Sequence, residues 1–356
     1  MAEKVMVGMS GGVDSAVTAY LLKSSGYDIT GVNCRFFSGE DVFIADKACC
    51  SLEDVKDAKS VASRLGIPFE VFDFSQEFSF QVIDRFVSSY IDGSTPNPCI
   101  YCNRYLKFDK MLEKAQELSF DYIATGHYAI TEYDSVSGRY LLKKGADHTK
   151  DQSYVLYSLT QHQLAHTLFP LGKMSKAQVR ELAESLQLVN AKKHDSQDIC
   201  FVPDGDYASF IERRTGIVFP EGDFIGTDGK VLGKHKGIIR YTIGQRKGLG
   251  IALQKPVYVC KKDVKSNTVT ISDNESLFTR ALTATDINLI SVDKIAAPIR
   301  VKAKIRYKHT EQWATVEQID ENRISVVFDE PQRAIAKGQA VVLYDGDTVV
   351  GGGTIE

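Results

Sequence analysis

The stretch from residue 8 to residue 15 has the composition of a phosphate-binding loop and lies between a predicted strand and a predicted helix. Gly11 and Gly12 let the backbone approach an anion closely, and the first amides of a helix donate hydrogen bonds at the positive end of its dipole. The sequence matches neither the G-x-x-x-x-G-K-S/T loop nor the G-x-G-x-x-G pattern of dinucleotide-binding folds. The alternative interpretation is a purely structural turn before a helix.

Seven cysteines supply the other reactive groups. Their odd number and low density do not fit a secreted disulfide framework, so we expect thiols. Cys99 and Cys102 form a Cys-x-x-Cys pair, and with Cys200 they could hold an iron-sulfur cluster with one iron left open. Zinc is a weaker alternative, because the chain has no second Cys-x-x-Cys and no histidine pair at finger spacing. A single cysteine is commonly inert and buried, and the adjacent Cys49 and Cys50 carry no interpretation.

The charges are segregated, although the net charge is only -3. Residues 230–262 contain nine Lys or Arg and no acid, and residues 294–310 contain six more, again without an acid. Such stretches on an otherwise acidic chain are typical of a polyanion-binding surface, with solvated strand faces as the alternative. In the second stretch a basic residue recurs at every second position, which in a strand places all five on one face. These residues are Arg300, Lys302, Lys304, Arg306 and Lys308.

The elements that position these groups change in character along the chain. Alternating strand and helix signals in the first half indicate a doubly wound parallel sheet, with a helical tail to about residue 202. Beyond a last helix at 206–214, short alternating runs separated by glycine predict small β domains or a barrel, with a seam near 267–275. The predicted strands are 4–7, 28–37, 69–74 and 122–125, and the predicted helices are 13–24, 52–65, 76–91, 104–118 and 175–187.

Length and composition set the protein class. A chain of 356 residues suggests two to three domains, and 43% hydrophobic with 25% charged residues is typical of a folded chain. The apolar runs are shorter than the roughly 18 residues of a membrane-spanning helix, and the N-terminus has no signal-peptide core. We therefore expect a cytoplasmic protein without a membrane partner.

Residues 10–15 resemble the PP-loop of ATP pyrophosphatases, which holds the leaving pyrophosphate while a substrate oxygen is adenylated. Several enzymes share such a loop, but six further strings occur in the order found in the tRNA-specific 2-thiouridylases, so the chain resembles that family over nearly its whole length. These strings are Thr95 to Asn103, Ala124 to Tyr128, Lys150 to Tyr154, Phe169 to Gly172, Asp198 to Phe201 and Tyr241 to Gly250.

The resemblance implies a PP-loop domain over residues 1–202, a small central β-rich domain over 203–275 and a C-terminal β-barrel over 276–356. It implies replacement of the carbon-2 oxygen of the wobble uridine of tRNA by sulfur, with ATP consumed. We add Mg²⁺ to ATP because of the charge of the phosphates. The implied ATP contacts are Gly8, Met9, Ser10, Gly11, Gly12, Val13, Asp14, Ser15, Gly126 and Cys34, the last at a position where relatives often have Met.

The resemblance also implies where tRNA binds. Asn97, Pro98 and Cys99 would lie beside the target base. His127 and Lys150 would touch tRNA as well, although an ordinary buried imidazole and an ordinary surface charge are the alternatives for those two residues. The full set of implied tRNA contacts outside the base site is His127, Lys150, Asp151, Gln152, Arg306, Tyr307 and Gln339.

Two cysteines match the catalytic pair of the family. Cys200 would carry the sulfur as a persulfide received from a donor protein, and Cys102 would complete the transfer, leaving a disulfide between the two. The best-known form of the family has Asp at position 99, whereas this chain has Cys99. The reference pKa of a thiol is about 8.5 and that of Asp about 3.9, so the role of a carboxylate in proton transfer does not pass to Cys99 automatically.

Two other functions compete with this interpretation. One is a PP-loop synthetase or ligase that acts on a small metabolite, which the basic β modules disfavour. The other is a non-catalytic, ATP-responsive RNA-binding protein, which the matched cysteine pair disfavours. The sequence leaves the donor protein, the accepted tRNAs and the oligomeric state open.

Overall fold

The computed structural model describes most of the chain and shows three sheets in the described part. Cys49, Cys50 and Asp198 lie outside the described residues, so the uninterpreted cysteine pair and one end of a matched string receive no structural account. The described residues are 2–37, 52–191, 193, 199–251 and 253–356.

The first 124 residues alternate strands and helices as predicted. Two of the helices run through π-helical stretches, Ser79–Asp84 and Cys102–Lys110, which the sequence did not predict. The second of these helices begins at Pro98, six residues before its predicted start, because Asn97 caps it and proline is favourable in the first turn. The elements are β1 (Lys4–Gly8), α1 (Val13–Ser24), β2 (Asp28–Arg35), α2 (Leu52–Leu65), β3 (Phe69–Asp73), α3 (Ser75–Phe78), α4 (Arg85–Ile91), α5 (Pro98–Tyr101), α6 (Met111–Glu117) and β4 (Tyr122–Ala124).

A hairpin that the sequence did not predict follows β4. Its second strand pairs with the last strand of the chain, where Lys143 lies opposite Thr348. The hairpin therefore joins the sheet of the C-terminal part, although it lies between helices of the first part in sequence. The elements are β5 (Ala129–Asp134), β6 (Arg139–Lys144), α7 (Ser153–Leu156), α8 (Gln161–Ala165), β7 (Thr167–Leu168) and α9 (Lys176–Ser185).

The parallel sheet has the strand order β3-β2-β1-β4-β7, which confirms the doubly wound class. Val5 and Val7 pack against α1, α2 and α9 on one face, whereas Met6 packs against α6 on the other, as the alternation of a strand requires. The chain leaves β1 toward β2 on one side and reaches β4 on the other. The crevice at the carboxyl end of β1 is therefore where such folds bind ligands, and residues 8–15 lie there.

A small β-rich module follows the parallel sheet. Its helix is capped by Asp206, which accepts a hydrogen bond from the amide of Ser209, and ends at Gly216 in the left-handed region. The four strands take the order β10-β11-β8-β9 around a core that includes Phe224 and Tyr241. The elements are α10 (Tyr207–Thr215), β8 (Gly222–Ile225), β9 (Val231–His235), β10 (Tyr258–Asp263) and β11 (Thr268–Ser272).

The last six strands close into a barrel, as expected. Closure occurs because the first of them pairs both with the fourth and with the last. Alternate side chains such as Val301, Ala303, Val341 and Leu343 fill the interior. The strands are β12 (Phe278–Leu289), β13 (Ile299–Lys304), β14 (Gln312–Asp320), β15 (Arg323–Arg333), β16 (Ala340–Asp345) and β17 (Thr348–Ile355).

Candidate active site

The loop between β1 and α1 has the geometry of an anion cradle. Gly11 has φ +80°, and a Cβ there would lie 2.4 Å from the carbonyl oxygen of Asp54, so this position requires glycine. Gly126 approaches from β4, and a Cβ on it would lie 2.9 Å from the carbonyl carbon of Asp14. Gly12 is the N-cap of α1 and provides no side-chain cap. The helix N-terminus therefore offers backbone donors to a phosphate, and the loop fits ATP.

Two buried asparagines hold the loop in this shape. The Asn33 side chain donates to the carbonyl of Met9 at 2.8 Å, and the Asn190 side chain donates to the carbonyl of Gly11 at 3.0 Å. Within the loop, the Ser15 hydroxyl donates to the carbonyl of Gly12 at 3.0 Å. The sequence analysis missed both asparagines. Only Asn33 left a signal, as a polar residue in an otherwise apolar strand, while Asn190 lies 179 residues from its partner.

The carboxylate of Asp14 is held by two residues that the sequence analysis did not assign to the site. The hydroxyl of Tyr128 donates to its Oδ1 at 2.8 Å, and the Lys176 ammonium lies 2.8 Å from both of its oxygens. Lys176 is only 8% exposed, and Tyr128 is 2% exposed. Tyr128 could have been found, because it ends the matched string at 124–128, whereas nothing in the local sequence marks Lys176.

Cys34 lies near the end of β2, within the parallel sheet. Loss of solvent raises the pKa of its thiol to about 12, and the nearby Cys102 adds to the rise. Cys34 therefore stays neutral and apolar at physiological pH. That character suits a position that relatives fill with Met, and its ATP contact remains a prediction.

Cys102 and Cys200 pack against the same apolar core as Cys34. Cys102 opens the π-helical stretch after α5, and Cys200 precedes Phe201, whose ring packs edge-on against Phe86 at 5.1 Å. Both residues carry thiols in this structure. The fold therefore brings the two matched cysteines to one apolar core, although 98 positions separate them in the sequence.

The three-thiolate site does not fit the structure. Within the ranges that the structure describes, no three His, Cys, Asp or Glu side chains are grouped closely enough to hold a metal ion. Cys99 is exposed, whereas Cys102 and Cys200 are half-buried against the apolar core. The structure therefore gives no support to the alternative that these three cysteines hold an iron-sulfur cluster, and the cysteine pair at 102 and 200 stays the favoured prediction.

The segment implied to face the target base is pinned to the barrel. Asn97 accepts a hydrogen bond from the amide of Cys99 at 3.1 Å. Gln339 donates to the carbonyl of Thr95 at 2.6 Å, and the Thr95 amide donates to the carbonyl of Lys337 at 2.8 Å. The structure thus brings Gln339 to the base segment, which contains the buried Pro98 as well.

The segment at residues 150–152 meets the same region. The Asp151 carboxylate accepts hydrogen bonds from the amide and the hydroxyl of Ser153. The backbone carbonyl of Asp151 accepts from the Tyr307 hydroxyl at 3.1 Å. Burial raises the pKa of Tyr307, and Asp151 and Cys99 raise it further, so the Cys99 thiol also lies near this phenol. Residues 97–99, 150–152, 307 and 339 therefore lie in one region, and Gln152 connects that region to the phosphate loop through Tyr128. Lys150 lies in this segment and is half-buried.

His127 lies inside the core. It is 8% exposed, and its ring lies 5.6 Å from that of Phe108 and 6.0 Å from that of Phe169. Burial holds the pKa of the imidazole well below its ordinary value, with Lys107 adding to the effect. The ring is therefore neutral, and Thr125 shares a 2.8 Å hydrogen bond with its Nδ1. This is the buried imidazole that the sequence analysis gave as the alternative, and the tRNA contact stays a prediction.

The prediction of five cations on one strand face is wrong for the last two. β13 ends at Lys304, so Arg306 and Lys308 lie in the turn that follows. Arg300 is paired with Asp329 at 2.7 Å, and the Lys304 ammonium lies 5.8 Å from the ring centroid of Tyr154 and 5.7 Å from that of Tyr307. The end of the strand is also what lets Tyr307 reach the site.

Arg306 has a different environment from the strand cations. Its guanidinium donates to the carbonyl of Ala334 at 2.8 Å and to that of Ile243 at 3.2 Å, which ties the barrel to the glycine-rich turn of the central module. Burial lowers its pKa from the ordinary value of an arginine. Arg306 therefore holds two modules together at the edge of the site.

Comparison with known proteins adds to this geometry. Family models match three successive parts of the chain: "tRNA methyl transferase HUP domain" at residues 3–204, "tRNA methyl transferase PRC-barrel domain" at 208–273 and "Aminomethyltransferase beta-barrel domain" at 279–355. A solved structure described as "U34-tRNA thiolase NcsA from Methanococcus maripaludis with its [4Fe-4S] cluster" is 21% identical, with a TM-score of 0.36, covering 60% of this chain and 66% of that one. A likeness at that level carries no argument about this site.

Relatives of much higher identity share the whole length of the chain. The tRNA-specific 2-thiouridylase MnmA of Clostridioides difficile (strain 630) is 52% identical over 356 residues, covering 100% of this chain and 99% of the relative. The protein of that name from Acetivibrio thermocellus is also 52% identical, covering 99% of each chain. In the described part of the chain, no helix is both long and apolar enough to cross a membrane. The phosphate loop, the cysteine pair on one core and this similarity over the full length agree, and the chain belongs to the tRNA-specific 2-thiouridylase family.

Proposed function

We propose that the protein is an ATP-dependent tRNA-uridine 2-sulfurtransferase, which replaces the carbon-2 oxygen of the wobble uridine by sulfur. The observation that carries this proposal is the 52% identity to 2-thiouridylases over the entire chain. The geometry supports it, because a phosphate cradle and a surface that can present one base lie side by side. The domain bounds at residues 202 and 275 are part of the same proposal.

ATP is the activating substrate in this proposal. The backbone of residues 8–15 would hold its phosphates, and Mg²⁺ would accompany them because it neutralises their charge. Transfer of the adenylyl group to the carbon-2 oxygen releases pyrophosphate and makes that oxygen a leaving group. The buried contacts of Asp14 with Tyr128 and Lys176 help to hold the loop in the shape of a cradle.

Sulfur transfer then uses the two cysteines on the apolar core. The terminal sulfur of a Cys200 persulfide, supplied by a donor protein, attacks carbon 2 of the adenylated uridine and AMP leaves. The Cys102 thiolate attacks the Cys200 sulfur, and the electron pair of the broken sulfur-sulfur bond stays on the transferred sulfur. The two cysteines end as a disulfide, because they lose the two electrons that reduce the transferred sulfur.

In this scheme Cys99 occupies the position where the best-known form of the family has an Asp that can assist proton transfer. It is exposed and lies near the Tyr307 phenol. A thiol there can still exchange a proton, but with a reference pKa of about 8.5 it would work best at higher pH than an Asp.

The experiment measures pyrophosphate release with and without tRNA. We expect ATP to give AMP and pyrophosphate only in the presence of an accepted tRNA, which becomes thiolated when a persulfide donor is present. Release without tRNA would instead identify an enzyme that acts on a small metabolite. Binding of ATP and tRNA with no release would identify a non-catalytic protein, and ADP as the product would exclude the adenylation step.

Serine variants test the assignment of the cysteines. We expect Cys102→Ser and Cys200→Ser to abolish thiolation, and Cys99→Ser to retain part of it. Cys260→Ser is the matched control, because Cys260 lies in β10 of the central module and should not change the rate. Equal loss in all three variants, with activity that depends on iron, would contradict the proposed relay.

A further inference from the structure

Two parts of the site that serve different ligands are joined by hydrogen bonds through one buried tyrosine. The first is the phosphate loop, and the second is the segment at residues 147–152, which contains the proposed tRNA contacts Lys150, Asp151 and Gln152. Tyr128 lies between them and is 2% exposed. A displacement of one part can therefore reach the other through Tyr128.

The contacts of Tyr128 reach both sides. Its hydroxyl donates to Oδ1 of Asp14 at 2.8 Å, which is the phosphate-loop side. On the tRNA side, its amide donates to the side-chain oxygen of Gln152 at 3.0 Å, and its carbonyl accepts from the Gln152 amide at 3.0 Å. Gln152 therefore clamps the backbone of Tyr128 from both directions.

A second connection runs in parallel through Lys176. Its ammonium binds Asp14, while its backbone amide donates to the carboxylate of Asp147 at 2.9 Å. Asp147 also accepts from the amide and the hydroxyl of Thr149, and the Lys176 amide together with these two donors holds the pKa of Asp147 below its ordinary value. The segment is thus bonded to both groups that hold Asp14.

The packing leaves Tyr128 little freedom to absorb a shift of the segment. A Cβ on Gly145 would lie 2.8 Å from the Tyr128 carbonyl oxygen, so the backbone at residue 145 packs directly against that of Tyr128. A displacement of Gln152 therefore moves the backbone of Tyr128, and the phenol carries that movement to Asp14. Packed elements of this kind transmit small displacements instead of damping them.

We propose that Tyr128 is a positioning residue that couples tRNA bound at residues 147–152 to the phosphate loop. Contact of tRNA with the segment fixes Gln152, which holds the Tyr128 hydroxyl on Asp14 and keeps the loop in its ATP-binding shape. This inference rests on the proposed function. It explains how a loop that resembles those of many PP-loop enzymes would release pyrophosphate only when tRNA is bound.

The test measures how each ligand changes the affinity for the other. A non-hydrolysable ATP analogue and an unmodified tRNA are titrated singly and together into the full-length protein and into Tyr128→Phe. We expect tRNA to raise the affinity for the analogue by roughly 5- to 150-fold, and linkage requires the analogue to raise the affinity for tRNA by the same factor. In Tyr128→Phe we expect this factor to fall to below about 2, with the affinity for tRNA alone unchanged and the affinity for the analogue alone lowered by the loss of one contact to Asp14.

Tyr154→Phe is the matched control. It also deletes one buried tyrosine hydroxyl, which donates to the carbonyl of Ala340 at 2.9 Å and points toward the barrel. We expect it to keep the full coupling factor and to show a thermal shift similar to that of Tyr128→Phe.

Three results would overturn the inference: an unchanged coupling factor in Tyr128→Phe, no coupling in the unmodified protein, or equal loss of both single-ligand affinities, which would indicate a merely structural role. Failure of the proposed function looks different, because thiolation itself would then be missing.

Discussion

Two lysines with buried ammonium groups lie in different regions and are treated in opposite ways. At the active site, Lys176 places its ammonium 2.8 Å from both oxygens of Asp14. In the central module, the Lys262 nitrogen is buried and has no hydrogen-bond partner among the described residues, with the Tyr90 ring at 6.0 Å. The first region pairs its buried charge, whereas the second leaves it against an aromatic face.

The difference shows what each region is built to do. Burial without a partner disfavours the charged form, and it lowers the pKa of Lys262 to about 8. The packing around Tyr90, whose ring also packs against Tyr207 at 4.7 Å, offsets the free-energy cost of burying the Lys262 ammonium. At the active site, the pairing of Lys176 with Asp14 keeps a charge in place next to the phosphate loop.

The largest effect should follow from Asp14→Ala, which removes the carboxylate that the Lys176 ammonium binds. We expect pyrophosphate release and thiolation to fall by at least about 100-fold, because the loop loses the contacts of the Asp14 carboxylate with Tyr128 and Lys176. Retention of tRNA on filters should stay within about twofold, because phosphate contacts of tRNA lie elsewhere. Asp57→Ala, which removes a partner of Lys193 beside the loop, is the control. Full pyrophosphate release in Asp14→Ala would break the comparison.

Lys262→Met should sharpen the comparison from the other side by removing the unpartnered charge. We expect the free energy of unfolding at pH 7 to rise by about 2 to 3 kcal/mol, measured by urea denaturation. The gain should be constant below pH 8, where folded and unfolded chains both carry the proton. It should shrink between pH 8 and 10.5, where the folded chain loses that proton and the unfolded chain keeps it. Lys261→Met, on the exposed neighbour, should change little, and a gain independent of pH would show that burial of the charge is not its cause.

A smaller effect is expected where the site meets the barrel. Lys304→Glu should weaken binding to all tRNAs by about tenfold and flatten the slope of log affinity against log salt by about 0.7 to 0.9, because one phosphate contact is lost. Arg306→Glu should weaken binding similarly and also lower the melting temperature, since Arg306 ties the barrel to the central module. Altered preference among tRNAs, with unchanged salt dependence, would show that neither residue contacts phosphate.

The smallest effect should follow from Arg300→Gln at the start of β13. Arg300 is exposed, and its guanidinium is already paired with Asp329 and so is less available to a tRNA phosphate, so we expect less than about a threefold change in tRNA affinity. Its guanidinium lies 5.6 Å from the ring of Trp313, the single tryptophan of the chain, so fluorescence can follow the titration. A tenfold loss would instead extend the tRNA surface along the whole strand.

Local patterns in the sequence correctly predicted the helix and the glycine-containing loop at the start of the chain. The helix predicted at 13–24 is α1 (Val13–Ser24), and Gly11 of the preceding loop has the positive φ that glycine permits. Strand and helix periods depend on neighbours a few residues apart, and a glycine at positive φ depends on its own backbone, so both can be inferred from short stretches. The motif strings also identified the family, which the relatives at 52% identity confirm.

Only the tertiary structure decided which distant residues meet. Lys176 reaches Asp14 across 162 positions, and Tyr128 reaches it across 114, because α9 packs beside α1 and β4 pairs with β1. The same reason applies to His127, which the core buries, and to the hairpin β5–β6, which joins the barrel by pairing with β17. The alternation after residue 300 predicted a strand but not where it would end. Periodicity is a local property, whereas burial and pairing depend on elements that the chain brings together only on folding.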